Sequence, residues 1–208
     1  MKKTTLLIVG ILVIVLAIII VLSQMDLADN TQSEIFEVND DYDDGRTFTV
    51  ENNELGYENE NGGWAKNQLA KSYSFGVRFT NVSIPHGVKI KNAYVEVYSI
   101  GTPGHSTPNC KIYCDDVDDA VNFSVGVLDI SGRKYTSAYS RWNETVPYAE
   151  WVKTPKLTAL IQEIISRPNW AVGNSIAVLF VSEGLTGYSA TFDNYENGYP
   201  AKLYVEWE

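Results

Sequence analysis

The chain has 208 residues, 45% of them aliphatic or aromatic and 20% charged, which fits one globular domain with an attachment rather than two full domains or a disordered chain. Twenty-six acidic side chains against sixteen basic ones give a net charge of -10, and that balance excludes a nucleic-acid backbone as the partner. Thirteen Tyr and five Trp beside two Met and two His belong to a surface protein rather than a helical bundle.

The first element is hydrophobic. Leu6 to Leu22 is apolar apart from Gly10, and no charge lies between Thr4 and Met25. As a helix at 1.5 Å per residue, that stretch spans about 33 Å, against a hydrocarbon core of roughly 30 Å. Lys2 and Lys3 precede it; Asp26 and Asp29 follow. Residues 1–25 therefore read as an N-terminal transmembrane helix, with the N-terminus cytoplasmic and the remainder extracellular. The alternative is a signal peptide, with Val21 and Ser23 small enough for a cleavage site and the rest secreted. Either way the remaining chain is exported. Residues 26–35 read as a polar linker and 36–208 as the ectodomain.

The ectodomain reads as strands and turns. Phe48 and Val50 share a face of Arg46 to Val50. Phe75, Val77 and Phe79 alternate with Arg78 and Thr80. After the turn Pro85-His86-Gly87, Ala93, Val95 and Val97 alternate with Tyr94, Glu96 and Tyr98. A Gly/Pro-rich loop leads into Cys110 to Cys114. Ser175 to Val181 is a nearly continuous apolar run, followed by Ala190 with Phe192 and by Leu203 to Trp207. Such period-2 runs between Gly, Asn and Pro predict an all-β antiparallel sandwich. One short amphipathic helix interrupts them. Thr154 is a good N-cap, Pro155 suits the first helical position, and Leu157, Leu160, Ile161 and Ile164 line one face up to Pro168. Its expected range is Pro155 to Ser166, closing one end of the sandwich.

Cys110 and Cys114 are the only cysteines. On a strand their Cα atoms lie about 13 Å apart, whereas a disulfide needs about 7 Å or less. Buried free thiols are the plain reading; a bridge made by a bend near Cys110, or a metal site, are the alternatives.

Two acidic clusters stand out, Asp40 to Asp44 and Asp115-Asp116-Val117-Asp118-Asp119. Calcium takes six to eight oxygens, so Asp115, Asp116, Asp118 and Asp119 are candidate metal ligands. The other reading is a solvated acidic turn. Tyr42 and the following strand pattern rule out an EF-hand. No G-x-S-x-G is present, and His86 and His105 sit in turns, so a catalytic function is not expected.

Trp64, Tyr73, Trp142, Tyr148, Trp151, Tyr188, Tyr195 and Tyr199 all fall in or beside predicted loops. Aromatic faces stack on sugar rings, while carboxylates and amides take the hydroxyls. Trp142, Trp151 and Trp170 read first as core plugs. Asp193, Tyr195, Glu196 and Tyr199, with Tyr188, are the candidate ligand-binding residues. Asn81-Val-Ser83, Asn122-Phe-Ser124 and Asn143-Glu-Thr145 are N-glycosylation sequons.

The order of pieces also resembles a known kind of module. Phe75-Gly-Val-Arg-Phe-Thr-Asn-Val-Ser-Ile-Pro85, Gly87-Val-Lys-Ile-Lys-Asn-Ala-Tyr94, Leu157 to Pro168 with Asn169-Trp170, Gly173-Asn-Ser-Ile-Ala177 and Pro200-Ala-Lys-Leu203 are similar to the disaggregatase-like (DNRLRE-type) carbohydrate-binding modules of microbial surface proteins. The resemblance covers roughly Val38 to Trp207. It implies a jelly-roll sandwich and an extracellular role in binding glycans or cell-surface polysaccharide, and it transfers no binding residues. A non-catalytic glycan-binding or adhesion module is the leading expectation. The alternative is a structural surface protein, a homo-oligomer assembling through sheet edges into a coat or filament.

Overall fold

The computed structural model describes residues 30–49, 55–58, 67–69, 73–101, 103–104, 106–123, 130–183 and 190–208, together with Ile14. The membrane segment expected over residues 4–25 lies, apart from Ile14, outside them. Among the described residues no helix is long and apolar enough to cross a membrane. The chain divides into two units, Met1–Thr31 and Gln32–Glu208, and the second carries the architecture that follows.

That architecture is a β-sandwich of two antiparallel sheets. The first contains β1 (Gln32–Glu37), β12 (Lys202–Trp207), β6 (Ile90–Ser99), β11 (Ala190–Phe192) and β4 (Asn67–Leu69) in that order, with β9 (Glu150–Lys153) also paired to β6. The second runs β3 (Leu55–Glu58), β2 (Asp44–Thr49), β5 (Tyr73–Phe79), β10 (Ile176–Ser182), β7 (Cys110–Cys114) and β8 (Ser140–Trp142). β1 begins at Gln32, so the strand takes in residues expected in the linker.

Alternation decides what lies between the sheets. Ala93, Val95 and Val97 of β6, and Leu203 and Val205 of β12, face Phe75, Val77 and Phe79 of β5 in one buried core. Aromatic rings tie the layers together. Phe192 of the first sheet stacks on Trp142 of the second at 5.3 Å and tilts against Phe75 at 5.8 Å, while Phe75 stacks on its neighbour Phe180 within the second sheet at 4.2 Å. Cys110 and Cys114 are free and buried in this core, on the same face of β7 as Ile112. Burial raises both thiols well above the ordinary range.

The unbroken apolar run of β10 has its own explanation. Ile176, Val178 and Phe180 enter the main core. Ala177 and Leu179 point the other way, into a second cluster with Ala120, Phe123 and Ile130. The strand is buried on both faces because the chain after β7 folds back over the second sheet.

The helix α1 occupies Thr158–Ile165, shorter than the predicted Pro155 to Ser166. Thr154 is not its cap. The Thr154 backbone N–H donates to Val95 O at 2.9 Å, and its hydroxyl accepts from the Val95 N–H at 3.0 Å. Leu157 then donates to Ala93 O, so the chain stays laddered beside β6 until Leu157, the actual cap residue. The predicted face is buried in the main core, Leu157 at the cap and Leu160, Ile161 and Ile164 within the helix, and Ile165 joins it. The helix touches β6 of one sheet and β7 of the other, and so bridges the layers. Gln162 fastens it through Ile90 N–H and Val88 O, and Glu163 accepts from the Ser137 and Ala138 N–H groups.

Candidate functional site

The acidic loop after β7 is held by cations of its own chain. Asp115 pairs with Arg133 at 2.9 Å, both side chains almost fully buried. Arg133 also donates to Val121 O and Asn122 O and lies 4.1 Å over the Phe123 ring. Asp116 pairs with Arg167 and Lys134. Asp118 accepts from Arg167 at 2.8 Å and from Asn169 at 3.2 Å. Asp119 caps the Ser175 N–H at 2.8 Å. The first cluster is similar: Arg78 reaches Asp43 at 2.5 Å, Ala120 O and Ser175 Oγ.

These contacts set the carboxylate chemistry. Burial pushes Asp115 and Asp43 upward and outweighs the pull of Arg133 and Arg78. Hydrogen bonds from Arg167 and then Asn169 hold Asp118 below the usual range. A calcium ion would have to displace Arg133 from Asp115 and Arg167 from Asp116 and Asp118, and would compete with the Ser175 N–H at Asp119. Among the described residues no group of three or more His, Cys, Asp or Glu side chains is placed to hold a metal ion.

The aromatic residues gather elsewhere, on the outer face of the first sheet. Inward residues of β6 are buried, so Tyr94, Glu96 and Tyr98 point outward. β9 sets Trp151 opposite Tyr98 and Lys153 opposite Glu96. β12 sets Lys202 opposite Glu96 and Tyr204 opposite Tyr94. Trp151 meets Tyr98 edge to face at 5.6 Å, and Lys202 stands 4.7 Å over the indole.

The segment between β11 and β12 completes this corner. Asn194, 1% exposed, is its anchor. Asn197 donates to Asn194 Oδ1 at 2.8 Å and to Asp193 Oδ1 at 2.7 Å. Tyr199 N–H returns to Asn194 O across Gly198, whose φ of 84° calls for glycine. The turn thereby lays Tyr199 on Tyr98, with ring centroids 4.1 Å apart. Tyr98 donates to Ala149 O at 3.0 Å. Burial raises the Tyr98 hydroxyl above its ordinary range, and Tyr199, Tyr148 and Asp193 add to this. Tyr148 is 53% exposed and Trp151 39%.

The structure therefore brings together only part of the expected ligand set. Asp193 and Tyr199 belong to the corner. Tyr195 packs against the core, and its N–H donates to Asp44 Oδ2 at 3.2 Å. Glu196 is half-buried in the short 3-10 turn Tyr195–Asn197. Tyr188 lies outside the described residues, as do Trp64 and the Tyr73 side chain. Trp142 and Trp170 are core residues as expected, but Trp151 is not, because β9 turns it to the outer face. Tyr98 is a site residue that the loop-centred reading misses, although the alternation in β6 already points it outward.

No protein-family model matches the chain, and no curated protein does.

Proposed function

We propose that the chain is a non-catalytic, exported jelly-roll module that binds glycans at the Tyr98–Trp151–Tyr199 corner. The supporting observation is that exposed Trp151 packs on Tyr98, whose carbonyl accepts from the N–H of Asp193, so that an exposed indole and a carboxylate belong to one corner. Apolar sugar faces pack on the rings, and the carboxylate and amide take hydroxyls. The resemblance to DNRLRE-type modules and the apolar segment at residues 4–25 favour display at a cell surface, by anchoring or after cleavage. Each contact is weak, about 1 kcal/mol net for a neutral hydrogen bond, so affinity depends on multivalent display.

The test is a glycan panel probed with the full chain in detergent, with and without chelator. Saturable binding to one glycan class, lost in Trp151→Ala and Tyr148→Ala at unchanged melting temperature, is expected. Absence of binding across the panel overturns the reading. Binding is expected to survive chelator, because Asp115, Asp116 and Asp118 are paired with Arg133, Lys134 and Arg167.

A further inference from the structure

The outer faces of the two sheets differ. The second is covered by its own chain through Phe123 and Ile130. The first carries exposed Ile35, at 58%, and an ordered row of charge, with the Trp151 corner one step past that row, opposite Tyr98. Glu37 lies opposite Lys202, Lys202 opposite Glu96, and Glu96 opposite Lys153. Glu96 is partnered from both edges of β6, so the row crosses β1, β12, β6 and β9 as minus, plus, minus, plus. Within the chain Glu37 meets Lys202 at 3.2 Å and Glu96 meets Lys153 at 3.6 Å, while Lys153 also donates to the Tyr94 hydroxyl at 3.0 Å and Lys202 stands over Trp151. An apolar row runs alongside: Ile35 opposite Tyr204, and Tyr204 stacked on Tyr94 at 4.9 Å.

We propose that this face docks on the same face of a second copy of the chain, forming an isologous dimer. A row reading minus, plus, minus, plus is complementary to itself when reversed. A two-fold axis parallel to the strands, between β12 and β6, reverses it. That operation lays Lys202 of one copy on Glu96 of the other, Glu37 on Lys153, and Tyr204 on Tyr94. Charge meets opposite charge and ring meets ring in the same alignment, as an isologous contact requires.

The size of the face limits its strength. Four strands about 4.8 Å apart and about six residues long at 3.4 Å each project to about 400 Å² per copy. The two copies together cover about 800 Å² by that projection, below the range of stable specific interfaces, so the dimer is weak and concentration-dependent. The axis also sets both Tyr98 corners at one end of the pair. The dimer does not depend on the glycan reading.

Charge reversal tests it. In Glu96→Lys both crossed contacts become lysine on lysine, and in Lys202→Glu both become glutamate on glutamate. Each variant, as full chain in detergent with an unchanged melting temperature, is expected to raise the dimer dissociation constant at least ~tenfold in sedimentation. Mixed one to one, the two variants restore both contacts. Lys202 of the first variant meets Glu96 of the second, and the introduced lysine meets the introduced glutamate. A heterodimer as tight as the parent is therefore expected. A parent that stays monomeric at about 100 μM overturns the proposal. So do single variants that dimerise like the parent, or a mixture that stays monomeric. Glycan binding is read separately, on the panel and with the parent chain, because Lys202 also stands over the Trp151 indole.

Discussion

Gly76 and Phe123 meet on the outer face of the second sheet, where a Cβ placed on Gly76 would fall 2.5 Å from Cζ and 2.8 Å from Cε1 of the ring. Gly76 is paired with Leu179 in the ladder between β5 and β10, and Phe123 is fully buried. The missing side chain is what lets the returning chain close over the sheet.

Gly76→Ala is therefore expected to destabilise the fold by about 1–3 kcal/mol, the usual cost of overpacking a filled site. Urea unfolding measures it. A variant as stable as the parent would show that Phe123 shifts freely and is not what seals this face.

Arg133 ties the start of the loop after β7, at Asp115, to Val121 O and Asn122 O further along it. Removing it leaves Asp115 buried without its partner and two carbonyls without their donor. Arg133→Met is expected to cost about 3–5 kcal/mol, as for a broken buried pair. Equilibrium unfolding that shows less than about 1 kcal/mol would place the stability of this loop elsewhere.

Asp118 sets a pH dependence. Its folded carboxyl lies below the usual value, through hydrogen bonds from Arg167 and Asn169. A depressed acid adds stability above its unfolded value of about 4 and loses it as pH falls through the folded value. Arg167→Gln returns Asp118 toward the ordinary range, so the acid-unfolding midpoint moves to higher pH. Circular dichroism against pH checks the shift. An unmoved midpoint would mean that the Arg167 contacts are not felt in solution.

Tyr195 and Trp151 are expected to separate stability from binding. Tyr195 packs on the core and Trp151 faces solvent. Tyr195→Ala lowers stability by about 1–3 kcal/mol through lost burial. Trp151→Ala leaves the melting temperature in place and removes the exposed indole. Thermal melts of both variants decide this, and the reverse order would contradict the assigned positions.

Ile161 is fully buried on the helix face that bridges the sheets. Ile161→Asp puts an unpaired charge there and is expected to cost about 4 kcal/mol or more. A soluble, cooperatively melting variant near parental stability would show that α1 is not needed to seal the core.

The readable features are those set by the local backbone. The strand pleat alone sends Ala93, Val95 and Val97 one way and Tyr94, Glu96 and Tyr98 the other. The helical period likewise marks Leu160, Ile161 and Ile164 as one buried face. The strand spacing of Cys110 and Cys114 is enough to expect free, buried thiols. Long-range contacts decide the rest. The helix begins at Thr158 because Thr154 is held by Val95, 59 positions away. The acidic loop is met by Arg167, 51 positions from Asp116, so composition could not tell a cation site from an internally neutralised turn. Trp151 faces outward because β9 joins β6 with Trp151 opposite Tyr98, and only strand pairing fixes which face a side chain takes.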